Sequence, residues 1–204
     1  MTLLFIFDMD DVLYRYDWRR RMAGMTDHLG LPFETLRELW WNHDGEGAAE
    51  AGRWATGEEY LAAFRARIGG DIDREDWLRI RGEAMTPDTA AIAAAARASQ
   101  LGRVTLLTNN GPLVGENLAT LAPALVPIFG EHLRASSHYG ARKPDRVVYE
   151  RVLERYAVEA RDAFFADDMP INVTGAAELG ITAHHFTGAA GLLAAVEAFA
   201  AARG

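Results

Sequence analysis

Three carboxylates stand within four positions near the start of the chain, in the stretch FIFDMDD at 5–11. The apolar run TLLFIF at 2–7 is too short for a helix and predicts a buried strand of a parallel sheet. Asp8, Asp10 and Asp11 would then lie in the loop after that strand, where open α/β sheets bind ligands. Like charges this close raise one another's pKa values unless a cation keeps them ionised. The spacing therefore indicates a metal site, provided that other strand ends complete it.

Further polar residues follow two other predicted strands. Thr108, Asn109 and Asn110 end the strand RVTLLTN at 103–109, and Asp167 and Asp168 follow the strand AFFA at 163–166. The carboxyl ends of parallel strands share one edge of a sheet, so all these side chains are expected to lie close together. Asp8, the backbone carbonyl of Asp10 and Asp168 would form an all-oxygen site suited to Mg²⁺. The Thr108 hydroxyl and the backbone N–H groups after it would supply donors for a tetrahedral anion.

Lys143 is the only lysine among 21 basic residues. A lysine ammonium is a compact charge that can reach one oxygen and one carboxylate in a narrow space, whereas arginine is a planar fork. Retention by chance is the plain alternative. The functional interpretation places Lys143 beside the same anion and carboxylates.

Each of these pieces also has a purely structural interpretation. Asn110 and Gly111 are typical of a turn, and Asp167 and Asp168 before Pro170 are typical of a helix start. The segment at 143–145 could equally be an exposed turn that opens a helix. The order of the pieces, all at strand ends of one predicted sheet, favours a common site.

Composition narrows the classes of partner. The formal net charge of −8 argues against nucleic acid and anionic membranes as partners. The absence of cysteine excludes disulfides, thiol nucleophiles and thiolate metal sites. The N-terminal apolar run is too short for a signal peptide, and no other run reaches membrane-spanning length. We therefore expect a soluble cytoplasmic protein.

Strands and helices alternate in the second half, which predicts an α/β fold with a doubly wound parallel sheet. Predicted helices lie at 87–99, with Thr86 as cap and Pro87 in the first position, and at 144–156, with Asp145 in the first turn. A helix-like segment through Leu121 and a short strand at 133–136 lie between them. The chain ends with a helix at 170–179, a strand at 181–186 and a helix at 189–201.

Residues 15–85 break that alternation. They predict helices near 17–29, 33–42, 57–68 and 73–84, no strand, and an acidic connection at 44–52. We predict a catalytic core at 1–14 and 86–204 and a helical cap at 15–85. The cap residues that could line a substrate pocket are Trp18, Arg19, Trp40, Trp41, His43, Arg53 and Trp54. Arg19, Arg20 and Arg21 are expected to be mostly solvated, with one of them pointing inward.

Four motifs together resemble the haloacid dehalogenase superfamily of hydrolases. They are FDMDDVL, LLTNN, ARKPD and FFADDMPINVTGAAELGI, and they span nearly the whole chain. The chain is most similar to the phosphatase subgroup with a small helical cap after the first strand. That group includes sugar phosphate phosphatases and the phosphatase domain of soluble epoxide hydrolases.

The resemblance implies phosphoryl transfer through an aspartyl phosphate. Asp8 would be the nucleophile, and Asp10 would protonate the leaving oxygen and then activate water. Thr108 and Lys143 would bind the transferring phosphoryl oxygens, with Asn109 and Asn110 beside them. Phosphoryl transfer asks mainly for positioning and for cations around dispersed negative charge, which agrees with this set.

The resemblance also implies a Mg²⁺ cofactor. Asp8, the Asp10 carbonyl and Asp168 would be direct ligands, Asp167 an outer-shell residue, and Asn172 the side chain that orients the loop. The sequence departs from the family at Asp11, where a glycine or another small residue is usual. Aspartate tolerates the left-handed region better than most residues, so the tight turn there can survive.

Several functions use related sites. A Mg²⁺-dependent phosphatase of small phosphomonoesters, with a sugar phosphate as one candidate, is the favoured interpretation, acting as a monomer or homodimer. A 2-haloacid dehalogenase would have no use for Asp10, and a phosphomutase would use the same core while excluding water. A receiver-like signalling module gathers similar residues, but in another order along the chain and without a cap.

Overall fold

The computed structural model describes residues 2–203 and forms an α/β fold with two sheets. Its strands are β1 (Leu4–Phe7), β2 (Tyr14–Tyr16), β3 (Met85–Pro87), β4 (Arg103–Leu106), β5 (Ala163–Asp167) and β6 (Thr182–His185). The larger sheet has the order β4-β1-β5-β6, with all strands parallel. The predicted doubly wound parallel sheet is therefore confirmed.

Strand β1 is buried on both faces, as its unbroken apolar run predicts. Phe5 and Phe7 belong to one hydrophobic core, and Leu4 and Ile6 belong to the other. Phe7 lies between Leu106 of β4 and Ala166 of β5, so these three strands end at the same level. The loops that follow them consequently meet at one edge of the sheet.

Twelve α-helices are found within the described residues. They are α1 (Trp18–Leu29), α2 (Phe33–Leu36), α3 (Gly45–Glu50), α4 (Gly57–Ile68), α5 (Arg74–Glu83), α6 (Thr89–Leu101), α7 (Pro112–Glu116), α8 (Leu118–Leu121), α9 (Val126–Phe129), α10 (Arg146–Tyr156), α11 (Pro170–Glu178) and α12 (Ala189–Ala201). The alanine-rich α6 and α12 pack together over the core that contains Phe5, and α10 covers the opposite core. None of the helices within residues 2–203 is long and apolar enough to cross a membrane.

The prediction of no strand in residues 15–85 was wrong, because β2 and β3 pair antiparallel as a short ribbon. Tyr14 lies opposite Pro87, and Tyr16 lies opposite Met85. Pro87 therefore belongs to a strand, and the predicted cap Thr86 does not begin α6. Asp88 caps α6 instead, accepting hydrogen bonds from the N–H groups of Ala90 and Ala91. The ribbon spans both predicted domain boundaries, and the division into core and cap stays a prediction.

Two other predicted elements were also corrected. The strand expected at 133–136 is a single bridge between Thr108 and Ala135, followed by a 3₁₀ turn from Ser136 to Tyr139. The Ser136 hydroxyl donates to the Glu50 carbonyl at 2.8 Å, which draws the chain away from the sheet after one step. The helix predicted from Pro144 begins at Arg146, so Asp145 precedes it rather than lying in its first turn.

The segment between the ribbon strands, residues 17–84, is called the helical insert below. Its α4 has the predicted bounds, whereas α1 begins one residue later than predicted and α5 is one residue shorter at each end. The acidic connection predicted at 44–52 contains α3, whose first residue Gly45 lies under the Trp40 ring. A Cβ atom there would be 2.5 Å from Trp40 Cδ2, so only glycine permits this approach.

A π-helical turn from Arg37 to Trp41 continues α2. Such turns change the direction of side chains relative to a regular α-helix and are frequent at functional sites. Here Trp40 is buried in the insert, while its neighbour Trp41 is only half-buried.

Candidate active site

The carboxyl edge of the sheet brings Asp8, Lys143 and Asp167 into direct contact. Lys143 Nζ lies 3.0 Å from Asp8 Oδ1 and donates to Asp167 Oδ2 at 2.6 Å. Lys143 is only 1% exposed. The single lysine therefore bridges the ends of β1 and β5, as a compact ammonium can.

Asn109 fixes the backbone of Lys143. The Asn109 side chain accepts a hydrogen bond from Lys143 N and donates one to Lys143 O, both at 2.9 Å. The loop after β4 thereby holds the loop that carries the lysine. Asn109 thus positions Lys143, while the phosphate contact predicted for it stays a prediction.

Asp167 is held on its other side by its own loop. Its Oδ1 accepts hydrogen bonds from Met169 N at 2.8 Å and from Asn172 Nδ2 at 3.0 Å. Asn172 lies in the first turn of α11, so this helix fixes the loop after β5. The contact agrees with the orienting part predicted for Asn172.

Burial and mutual repulsion govern the ionisation of this group. Burial raises the pKa of Asp8 to about 8, and although Lys143 opposes the rise, Asp167 and Asp10 add to it. Burial alone would lower the pKa of Lys143, but Asp8 and Asp167 outweigh it and raise that pKa. Lys143 therefore stays protonated, whereas a further cation would be needed to keep Asp8 ionised.

Asp8, Asp167 and Asp168 form a group that fits a divalent ion. Each offers a carboxylate oxygen, and these atoms all lie within 4.8 Å of one another. Burial, followed by the charges of Asp167 and Asp11, raises the pKa of Asp168. An all-oxygen donor set with excess negative charge suits Mg²⁺. Asp167 already contacts Lys143, Met169 and Asn172, which agrees with its predicted outer position.

The Asp10 side chain is directed to a different set of partners. Asn110 Nδ2 donates to Asp10 Oδ2 at 3.2 Å and to Thr108 Oγ1 at 2.9 Å. Arg81 Nη2 lies 2.8 Å from Asp10 Oδ1 and 2.6 Å from Asp10 Oδ2. The carboxylate is outside the metal-type group, in keeping with the prediction that only its backbone carbonyl would be a ligand.

Asp11 adopts the left-handed conformation, with φ of 58°, as its position in the tight turn led us to expect. Its Oδ1 accepts a hydrogen bond from Tyr16 N at 2.9 Å. The carboxylate thus fastens the turn to the first strand of the ribbon. A glycine could adopt the same turn but could not make this bond.

A cavity of about 360 Å³ lies between this edge and the helical insert. It reaches Asp10, Asn109 and Asn110 on the sheet side. Tyr16, Gly47 and Arg81 also line it. The remaining lining residues, called the pocket wall below, are Trp18, Arg21, Trp41, Glu46, Glu50 and Arg142. The site is thus completed by aromatic and charged side chains of the insert and by Arg142, next to Lys143.

The predictions for the insert were partly right. Trp18 and Trp41 line the cavity and meet edge to face, with ring centroids 5.3 Å apart. Trp40 instead stacks on Trp54 inside the insert. Of the three consecutive arginines, Arg21 points inward and is 3% exposed.

Sequence reasoning missed Arg81. Trp77, Ile80 and Ala84 mark the buried face of α5 and its end, and Arg81 falls on that face between them. An arginine on an apolar helix face was the available signal, because such a charge needs a partner.

Comparison with known proteins agrees with the motifs. The family model described as haloacid dehalogenase-like hydrolase matches residues 2–180. The chain therefore belongs to the haloacid dehalogenase-like hydrolases. A Mycobacterium tuberculosis protein named as a phosphatase is 28% identical over 196 residues, covering 88% of this chain and 84% of the relative.

Solved structures show the same fold. A haloacid dehalogenase family enzyme from Bacteroides thetaiotaomicron, solved as a magnesium complex, aligns with a TM-score of 0.72 and 19% identity over 90% of this chain and 92% of its own. A 2-haloacid dehalogenase from Pseudomonas syringae aligns with a TM-score of 0.64 and 20% identity over 89% and 84%. At these identities the likeness concerns the fold, so the reaction has to be argued from the site.

Proposed function

We propose that the protein is a Mg²⁺-dependent phosphatase that hydrolyses a small phosphomonoester through an aspartyl phosphate on Asp8. The observation that carries the proposal is the pair of differently placed aspartates. Asp8 contacts Lys143 and belongs to the cluster with Asp167 and Asp168, while Asp10, two residues on, lines the cavity. This difference supports Asp8 as the residue that accepts the phosphoryl group and Asp10 as the residue that exchanges protons with the substrate.

The proposed reaction has two steps, formation of the aspartyl phosphate and its hydrolysis. An Asp8 oxygen bonds to phosphorus as the bond to the ester oxygen breaks, and the Asp10 carboxylic acid gives its proton to that leaving oxygen. In the second step Asp10 takes a proton from a water molecule, whose oxygen displaces Asp8 and releases phosphate. Lys143, the Thr108 hydroxyl and nearby backbone N–H groups stabilise the phosphoryl oxygens.

Asp8 and Asp168, with the Asp10 carbonyl, would hold Mg²⁺. When bound, the ion supplies positive charge beside the phosphoryl oxygens. The metal complex of the Bacteroides enzyme and the phosphatase name of the mycobacterial relative support this assignment. A sugar phosphate suits the pocket wall, because tryptophan faces and charged side chains can bind a sugar ring and its hydroxyls.

The test combines activity with metal binding. The purified protein should hydrolyse 4-nitrophenyl phosphate in Mg²⁺, lose that activity in chelator and recover it when Mg²⁺ is restored. A ligand that binds only the folded state at 100 times its Kd stabilises by about 2.7 kcal/mol, so Mg²⁺ should also raise the melting temperature. Asp168→Asn should remove most of that rise.

Activity that persists in chelator would contradict the proposal. Chloride release from a 2-haloacid would support the dehalogenase alternative instead. Conversion of a sugar phosphate to an isomer without release of inorganic phosphate would identify a phosphomutase.

A further inference from the structure

We infer that Arg81 is a positioning residue that holds the Asp10 carboxylate in place for proton exchange with the substrate. The inference rests on the proposed phosphatase function. It begins from the contact of one guanidinium nitrogen, Arg81 Nη2, with both Asp10 oxygens at 2.8 and 2.6 Å. Seventy-one positions separate the two residues, so the contact joins the helical insert to the loop after β1.

Arg81 is itself firmly held. It is 1% exposed, and its guanidinium carbon lies 3.7 Å from the centre of the Tyr16 ring. Tyr16 is paired with Met85 in the ribbon, and Met85 follows closely after α5. The arginine therefore has little freedom to swing away from Asp10, and the stack on Tyr16 fixes the plane of its fork.

The two oxygens of Asp10 accept different numbers of hydrogen bonds. Asp10 Oδ2 accepts from both Arg81 and Asn110, whereas Oδ1 accepts from Arg81 alone. The oxygen with the greater remaining capacity is therefore Oδ1. A carboxylate held from two sides presents a fixed atom to the substrate, which is what general acid–base catalysis requires.

A purely structural ion pair is the rival interpretation. Within residues 2–203, Asp10 is the only carboxylate that lies in ion-pair distance of Arg81. Arg79 offers the comparison, because it lies on the same helix but is exposed and pairs with Asp76 at 2.8 Å and Glu83 at 3.1 Å. Loss of either arginine removes an ion pair of the insert, but only loss of Arg81 should act through Asp10.

The experiment is a double-mutant cycle read with two substrates. Arg81→Met and Arg81→Lys are each made in the wild type and in Asp10→Asn, with Arg79→Met as the control on the same helix. Values of kcat and kcat/KM are measured for 4-nitrophenyl phosphate and for phenyl phosphate. Phenolate is the poorer leaving group, so hydrolysis of phenyl phosphate depends more on protonation of the leaving oxygen. Melting temperatures and circular dichroism show whether each variant folds.

Positioned acid–base groups contribute about 10²- to 10⁴-fold, so Arg81→Met should lower kcat/KM for phenyl phosphate by about 10-fold or more. The loss of kcat/KM for 4-nitrophenyl phosphate should be clearly smaller, because kcat/KM reports formation of the aspartyl phosphate and not its hydrolysis. In the Asp10→Asn background the same substitution should change kcat/KM by less than about threefold, because coupled groups are not additive. Arg79→Met should have the same effect in both backgrounds.

Equal losses of kcat/KM for both substrates, with the Arg81→Met loss unchanged in the Asp10→Asn background, would overturn the inference and leave a structural ion pair. If Arg81→Met does not fold, the same comparison is made with Arg81→Lys, which keeps the charge but not the fork. Absence of phosphate ester hydrolysis in the wild type would count against the proposed function itself. The two failures are therefore distinguishable.

Discussion

The edge of the sheet and the pocket wall are built by different kinds of contact. At the edge, the sheet-edge cluster consists of Asp8, Lys143, Asp167 and Asp168. Asp167 Oδ1 accepts a hydrogen bond from Met169 N, and the Asn109 side chain binds the backbone of Lys143. In the pocket wall, Glu46 is held by the Trp40 indole and the Tyr60 hydroxyl, each at 2.9 Å. Backbone groups therefore take part in holding the sheet-edge cluster, whereas Glu46 is held by other side chains.

The difference separates reaction from selection. A side chain tied to the backbone keeps its position when its neighbours change, which suits groups that must meet a phosphoryl oxygen closely. A wall of stacked rings and paired charges can be altered one residue at a time. Substitutions in the sheet-edge cluster should therefore strongly lower turnover, and those in the pocket wall should mainly change which substrate binds.

The largest effect is expected at Asp8. Asp8→Asn leaves no carboxylate to accept the phosphoryl group, so turnover should fall by roughly 10⁴-fold or more, as for other lost nucleophiles. Asp10→Asn should still become phosphorylated by a substrate with a good leaving group but release phosphate slowly. Mass spectrometry of the protein mixed with 4-nitrophenyl phosphate distinguishes the two. Equal turnover in Asp8→Asn and wild type would exclude covalent catalysis at this position.

A smaller but still large effect is expected at Lys143. Lys143→Arg keeps the charge but replaces a slim ammonium, 1% exposed between two carboxylates, by a planar fork. Turnover should fall on the order of 10²-fold, as for other misplaced donors. The matched control is Arg146→Lys, an exposed residue paired with Glu150, which should have normal activity. Near-normal activity in Lys143→Arg would indicate that charge alone matters.

The smallest effect tests the pocket wall through Glu50. Burial raises the pKa of Glu50 to about 7, although Arg142, 3.0 Å away, opposes the rise. The folded protein therefore keeps this proton to higher pH than the unfolded chain. Its stabilising contribution is complete below about pH 4.5 and is lost as pH rises through about 7.

Free energies of unfolding measured in urea at pH 5 and pH 8 should reveal this loss. The wild type should lose on the order of 2 kcal/mol more than Glu50→Gln over that interval. The variant serves as the control because every other titrating group is shared. An identical pH dependence in both proteins would mean that Glu50 titrates normally.

Residues that act close to their own strand were predictable from sequence. Asp8, Asp167 and Asp168 follow apolar runs whose length and composition define strands, and parallel strands bring their ends together. The bounds of α4 and α12 also followed from helical spacing and composition. In both cases the signal lies within one short segment of chain.

The contacts that escaped prediction join distant segments. The ribbon strands have three residues each, too few to show a periodic pattern, and each is defined only by the other. The partner of Arg81 lies in the loop after β1, so spacing within α5 could mark the residue as unusual but not name Asp10. At 133–136, a side-chain bond from Ser136 overrode the local strand preference.

The ribbon also determines how much entropy the insert costs when the sheet folds. Because β2 and β3 lie side by side, and Asp88 N donates to Leu13 O at 2.9 Å, the chain leaves and re-enters the core at one point. The insert is therefore a loop whose two ends are held together by the ribbon. Doubling the length of a flexible loop adds only about 0.6 kcal/mol of closure entropy. Insertions that lengthen the segment should thus cost the sheet little, which leaves its size and shape free to diverge.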